Sequence, residues 1–467
     1  MEKPQEQNLS VGRNLKIGLF HLGSSMADII ITGLWNRIMI SDLGYAATPI
    51  SLLISLRYFL APLGIWAGRI SDQRSVGGFR RMFWIGLGRA MMAVGILILG
   101  IATTSLAQGG GMIGMAGKDA AQWIGIVLAI LLFSLGNSIS GGTFLALIYD
   151  RTPEHQRGRA IGIVWTFLLI GYAIFGIIFG KLLPHVDGKG LSFAPENLQN
   201  VFIIAAVSMA ILWFISMLYE ERRARPGGET YTSQSQQEYS TSALADLKLV
   251  INNRAMRFFM LFLALSMFSA FSQDLILEPF GGDVFQMDAA HTTRFNSYWG
   301  TTAILGMILF LFLARRYKSL NNRVLSYAGV TVLTIGFGIF TLSAFAQIRS
   351  LVTIGLLVFG AGQGIWTVGA NGLMMDMSPN GRAGTFLGFW TLVVTFARGG
   401  GQAAGGIIHD LGINLFGSPA TAYGLCFLVG TIGLIISLAM LRQANIKAYK
   451  AEQIPLDTTA VLATALD

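Results

Sequence analysis

Several polar and ionisable side chains stand inside stretches that are otherwise apolar. In "FHLGSSMADIIITGLWNRIM" (20–39), His21, Asp28, Asn36 and Arg37 interrupt a run long enough to cross a bilayer, and Arg57 does the same in "SLLISLRYFLAPLGIW". Arg89 and Arg398 are placed alike farther along. A charge in hydrocarbon is expensive unless it meets a partner or faces a water-filled interior, so these groups are expected to point into a bundle. Asp28 and Arg57 fall at a shared depth of consecutive spans and are expected to form a mutual ion pair. Such a pair serves either as a substrate or proton site or as a clamp that fixes helix register, and the residues alone leave both open. "QDLILEPFGG" adds Gln273, Asp274 and Glu278 near the outward end of their span, where Pro279 and the glycines are expected to stop the helix. Carboxylates there can accept hydrogen bonds at a cavity mouth, act as oxygen ligands to magnesium, or simply be solvated. Of the histidines, His21 and His409 lie at membrane depth near span ends, while His155, His185 and His291 lie in loops. Neutral imidazole is a metal ligand, but at a span end it more often makes interfacial hydrogen bonds.

The elements that must position these groups are apolar helices. Of 467 residues, 53% are hydrophobic and 12% charged, against about 25% charged in a typical soluble domain. Roughly 20 apolar residues cross a hydrocarbon core. Runs of that kind place spans near 17–40, 46–68, 82–105, 122–149, 160–183, 200–219, 257–280, 295–314, 324–346, 350–374, 385–411 and 420–441. The net charge of +9 does not indicate nucleic acid, because the basic residues sit in short loops. One set of loops holds Arg69, Arg74, Arg80 and Arg81; Arg151, Arg157 and Arg159; Arg222, Arg223 and Arg225; and Arg315, Arg316, Lys318 and Arg323. The other set holds little beyond Lys118, Lys181, Lys189, Arg294 and Arg349. Lys and Arg stay cytoplasmic, so both termini are expected in the cytoplasm. The polar N-terminus precedes a span too long and too polar for a signal peptide. The expected organisation is a cytoplasmic tail (1–16), a six-helix half (17–219), a cytoplasmic linker rich in Gly, Ser and Gln (220–256), a second six-helix half (257–441) and a cytoplasmic tail (442–467). A lone cysteine, Cys426, excludes disulfides and thiolate metal sites within one chain.

The halves repeat. "FSLGNSISGGTFLALIYDRTPEHQRGRAIG" (133–162) lies without a gap over "FGAGQGIWTVGANGLMMDMSPNGRAGTFLG" (359–388), matching Phe133/Phe359, Gly136/Gly362, Ile139/Ile365, Asp150/Asp376, Pro153/Pro379, Gly158/Gly384 and Gly162/Gly388. Related six-span halves around a central cavity are the architecture of the major facilitator superfamily, so an all-α polytopic membrane protein with a twelve-span bundle of that type is expected. The loop "GRISDQRSVGGFRR" resembles the signature loop of that superfamily through Gly68, Asp72, Gly78, Arg80 and Arg81. It differs in having Gln73 where an Arg is usual and in an insertion before Arg80. Asp72 is expected to act as a gating latch at the N-terminal end of a neighbouring helix, with the arginines on loop acids or lipid phosphates. Glycine-rich faces in "GLGRAMMAVGILILG", "GYAIFGIIFG" and "RGGGQAAGGIIHD" are expected to pack helices within the bundle or, on outer helices, to receive single-span partners.

Three segments go further: "GLFHLGSSMADIIITGLWNRIMISDLG" (18–44), "RYFLAPLGIWAGRISD" (57–72) and "QDLILEPFGGDVFQM" (273–287). With "NGRAGTFLGFW" and "GGQAAGGIIHD", they resemble the PucC/LhaA family, the bacteriochlorophyll-delivery branch of the major facilitator superfamily. The resemblance implies a membrane factor for light-harvesting complex assembly that delivers or shields (bacterio)chlorophyll for antenna polypeptides. It implies no tightly bound cofactor beyond the pigment as a ligand. It places the protein in the cytoplasmic, intracytoplasmic photosynthetic or thylakoid membrane, among lipid, pigment and antenna polypeptides, with no nucleic-acid partner. His21, Asn36, Arg37, Asp274, Glu278, Arg398 and His409 are then candidate pigment or cavity contacts. No nucleotide loop, metal cluster or nucleophile–base motif marks an enzyme. Two other readings remain: a secondary transporter of a small solute coupled to protons or ions through Asp28, Arg57 and Arg398, and an assembly scaffold that moves nothing.

Overall fold

The computed structural model describes residues 10–110, 119–152, 156–183, 191, 193–221, 250–317, 319–378, 383–446 and 449. Helix α1 (Val11–Asp28) runs on through two wide π-wound segments, Ile29–Trp35 and Ile38–Asp42. The next span is α2 (Ala47–Phe59) and α3 (Ala61–Gln73), broken at Leu60, with Pro62 in the first turn of α3. Proline lacks an N–H and fits that position. Then follow α4 (Met82–Gln108), α5 (Ala120–Arg151), α6 (Arg157–Leu182) and α7 (Pro195–Met217). The second half comprises α8 (Arg254–Phe271), α9 (Leu277–Phe285), α10 (Ala289–Thr293), α11 (Phe295–Arg316), α12 (Asn322–Ala346), α13 (Ser350–Asp376), α14 (Ala383–Phe416) and α15 (Pro419–Gln443).

Eleven helical stretches among the described residues are long and apolar enough to span a bilayer. The twelfth is the 34-residue α14, whose apolar run is diluted by Arg398, Gln402, His409 and Asp410. Apolar side chains such as Ile124, Phe214, Phe312 and Leu415 stand exposed on the outside, as a lipid-facing surface requires. The interior forms two apolar clusters. One collects residues 17–217 with Leu275 and Ala289, the other residues 250–449.

The boundaries correct the sequence reading in three places. Helix α1 begins at Val11, inside the expected tail, because Ser10 caps it by accepting from the Arg13 N–H at 3.3 Å. Helix α8 begins at Arg254, inside the expected linker, capped by Asn253. The seventh span does not run to Pro279. It stops at Phe271, turns through 272–276 and restarts as α9, with Pro279 in the first turn. The remainder of the linker and both tails, with Lys118, Pro153, His155, His185, Lys189, Arg222, Arg223, Arg225, Lys318 and Pro379, lies outside the described residues.

The glycine faces are used inside the bundle. A Cβ on Gly88 would strike the Gly136 carbonyl oxygen 2.5 Å away, which joins α4 to α5. The repeat-mate of Gly136, Gly362, lies against Leu333 of α12 in the same manner. Gly180 meets the Ala290 carbonyl, and Gly406 meets Ala47 and Ser51, so these small residues bring the two halves together. Most glycines of these faces therefore pack within the bundle, while Gly86 stands exposed with nothing close to it.

Besides contacts at mid-depth, bonds between the halves gather at one end. Ser41 donates to the Pro279 carbonyl at 3.2 Å, Thr48 to that of Gly406 at 3.3 Å, and Arg37 to that of Met287 at 2.7 Å. The arginine-rich loop, residues 73–80, lies at the opposite end. The end held by these bonds is sealed.

Candidate functional site

Mid-depth polar chemistry arises where two spans depart from regular helix. In α1 the π-wound turn frees backbone carbonyls, and Thr32 Oγ1 donates to that of Asp28 at 2.8 Å. Wide turns of this kind are frequent at functional sites. Opposite, the break between α8 and α9 presents Gln273 and Asp274.

The Asp28 carboxylate accepts from Arg57 Nη1 at 2.5 Å and from the Tyr172 hydroxyl at 2.6 Å. Arg57 Nη2 donates to the Tyr58 hydroxyl at 2.9 Å. Across the seam, Asp274 accepts from Arg398 at 3.2 Å, Gln402 at 2.9 Å and Gln273 at 2.8 Å. Gln402 Nε2 also reaches the Tyr58 hydroxyl at 3.5 Å, which closes a chain of polar contacts from one half to the other. Arg398 lies over the Phe271 ring, 4.0 Å from its centroid. Beside this chain is a small crevice lined by Thr32, Tyr172, Asp274, Glu278, Trp299 and Gln363, among others. Glu278 is buried and accepts from Asn296 Nδ2 at 2.9 Å. Asp274 and Glu278 thus stand within the bundle at the helix break rather than at an outward mouth, because the span is interrupted before it reaches them.

The other expected contacts are dispersed. Asn36 donates to the Leu275 carbonyl at 2.6 Å. Arg37 is held by Asp42 and the Met287 carbonyl. Both brace the seam. His21 sits among Phe20, Phe144 and Trp165. Among the described residues Arg89 meets no carboxylate and instead lies 3.9 Å from the Phe20 ring centroid and 4.8 Å from that of Trp213, a cation–π arrangement. His409 lies at the sealed end, its Nδ1 3.0 Å from Asp410 and its ring 4.4 Å from that of Tyr423. Near it, outside the spans, the Tyr45 hydroxyl donates to Asp119 at 2.8 Å, and burial together with this bond pushes it up to about 12.

The arginine-rich loop differs from the expected latch. Asp72 is bound by Arg81, not by a helix terminus. Arg81 also donates to Ser71, to the Gly68 carbonyl and, at 3.1 Å, to Asp150, which Arg80 joins at 3.0 Å. The carboxylate at the start of α4 belongs to Glu221, which accepts from the backbone N–H groups of Arg80, Arg81 and Met82, the last at 2.8 Å. Its neighbour Glu220 pairs with Arg13 and Lys16 at 2.8 and 2.5 Å. Asp376, the repeat-mate of Asp150, accepts from Asn322 at the start of α12 at 3.1 Å. Glu221→Ala should therefore cost about 1 kcal/mol, as lost helix caps do. Asp72→Asn should cost less, since Arg81 keeps Asp150 and Ser71. Melting temperatures of the purified variants check the order, and a larger loss for Asp72→Asn would refute this account of the loop.

Sequence reasoning missed Tyr58, Tyr172, Asn296, Gln363, Gln402, Glu221 and Asp410. Gln363 and Gln402 carried a signal, a lone amide inside a glycine-rich apolar run; the tyrosines carried none.

A family model described as PUCC protein matches residues 34–449. The chain belongs to the PUCC family. Protein PucC of Rhodovulum sulfidophilum is 28% identical over 415 residues, covering 86% of each chain. A relative named bacteriochlorophyll synthase 44.5 kDa chain, from Rhodobacter capsulatus, is 27% identical over 452 residues, covering 94% of this chain and 96% of its own. Among solved structures, a bacterial homologue of the human lysosomal transporter Spinster, inward-facing and unoccupied, aligns with a TM-score of 0.67 at 13% identity over 98% of this chain and all of that one. That likeness establishes the major facilitator fold for this PUCC-family member.

Proposed function

We propose that this protein is a non-enzymatic membrane factor for light-harvesting complex assembly, delivering or shielding (bacterio)chlorophyll for antenna polypeptides. The observation that carries the reading is the PUCC family match over 34–449, together with the bacteriochlorophyll-related name of a relative aligned end to end. The loop end faces the cytoplasm on the reading that its arginines obey the charge rule. A chlorophyll is a macrocycle with a long isoprenoid tail; it partitions into bilayer and needs a protein surface that prevents aggregation rather than an aqueous pump. The central crevice is charged and far smaller than the ~300–1,000 Å³ sites that hold drug-sized ligands, so it has no room for a macrocycle. The pigment is accordingly assigned to apolar, lipid-facing surface.

A host strain lacking the protein should lose one antenna complex selectively while antenna transcript, pigment synthesis and reaction centres persist, and the restored gene should bring the antenna back. Antenna quantified against transcript and total pigment is the measurement. An unchanged antenna with altered uptake or efflux of a soluble solute would replace this reading with a second one, secondary transport. The observation favouring that alternative is the bundle sealed at one end, with a polar chain crossing between its halves.

A further inference from the structure

One carboxylate at mid-depth meets no cation among the described residues. Glu278 is 4% exposed. Its Oε1 accepts from Asn296, while Oε2 has no hydrogen-bond partner. Among the described residues no ion pair reaches it. The guanidinium groups nearby are committed, Arg57 to Asp28 and Arg398 to Asp274. Three carboxylates, Asp28, Asp274 and Glu278, thus share two cations. The remaining ionisable groups around the crevice are the neutral phenols of Tyr172 and Tyr58; Arg89 is turned away into the rings of Phe20 and Trp213. A lone buried carboxylate is costly unless something neutralises it.

The surroundings offer further oxygen. Gln273, 3% exposed, and Gln363 both line the crevice, and each has an Oε1 without a partner. The walls are the π-wound turn of α1 and the break between α8 and α9, and interrupted helices near the bilayer midplane are where membrane carriers hold small cations. Gly33 in that turn keeps the space clear. A Cβ there would lie 2.9 Å from Asn296 Nδ2 and 3.4 Å from Glu278 Oε1.

We propose that this crevice is a binding site for one small monovalent cation, a proton or an alkali-metal ion, with Glu278 as its anionic ligand. The site is independent of pigment handling and involves no chlorophyll.

The test uses the purified full chain and dicyclohexylcarbodiimide, an apolar reagent that adds to protonated carboxyls and leaves a stable N-acylurea readable by peptide mass spectrometry. Glu278 should be labelled and the ion-paired Asp274 several-fold less. In sodium-free and potassium-free buffer, a proton site loses label about threefold or more as the pH is raised, with no effect of added salt. An alkali-metal site is protected to a similar degree by Na⁺ or K⁺ at fixed pH. Either result supports the proposal. Label at Glu278 that ignores both pH and cations, or no label there at any pH, overturns it. Glu278→Gln serves only to confirm the labelled peptide, so the outcome does not depend on that variant folding. Because no pigment enters the assay, its failure would leave the antenna reading untouched.

Discussion

Asp28→Asn or Arg57→Met, made singly, should lower the amount of folded protein in the membrane sharply. Each leaves a charge at mid-depth without its partner, which costs about 3–5 kcal/mol, a large share of the stability of any fold. Arg57 is the more confined of the two, its side chain 4% exposed against 25% for Asp28. Replacing Asp28 should therefore be the more damaging, because the guanidinium left behind has less access to water. The double variant Asp28→Leu with Arg57→Met removes both charges and should recover accumulation in part. Recovery stays incomplete because the Tyr172 hydroxyl loses the acceptor it holds at 2.6 Å. Immunoblots of isolated membranes and melting temperatures in detergent measure the effect. Single variants that accumulate like the wild type would show that the pair does not clamp the helices.

What could be read before the structure was what depends on local chemistry. Apolar length located the spans, and charge at a shared depth located Asp28 beside Arg57. The match of Gly136 with Gly362 reported two helix pairs packed in the same manner. Readings failed where the deciding partner came from far away. "SQDLILEP" is apolar enough to continue a helix up to its proline, but the chain turns at 272–276, where Asn36, 239 positions earlier, takes up the Leu275 carbonyl. Asp72 was the obvious latch from its loop pattern, yet Glu221 reaches the start of α4 from 139 positions away in sequence. The same distance effect concealed Tyr172, which becomes polar machinery only when α6 sets it against Asp28.

The contact least visible in the sequence carries the second large effect. Helix α2 begins at Ala47 behind Ala46, which has no side chain able to cap it. The cap comes from the other half: Asp410 of α14 accepts from the Ala47 N–H at 3.0 Å and the Thr48 N–H at 2.7 Å. A carboxylate at a helix start satisfies free N–H groups and complements the helix dipole. These bonds exist only while the sealed end is sealed. Asp410→Ala should therefore destabilise that state selectively, by about 1–2 kcal/mol, or roughly five- to thirtyfold in the balance between sealed and open forms. Asp410→Asn, which keeps one accepting oxygen, should shift it less. A reporter is available at Ser51, buried against Gly406 and Ala403 on the same seam. With Cys426 replaced by Ala and Ser51 by Cys, maleimide should label position 51 faster in the Asp410→Ala background than in its parent, with Asp410→Asn between them. Equal rates in all three would mean that Asp410 only finishes a helix, and that the seam is held by the glycine packing of Gly406 against α2 instead.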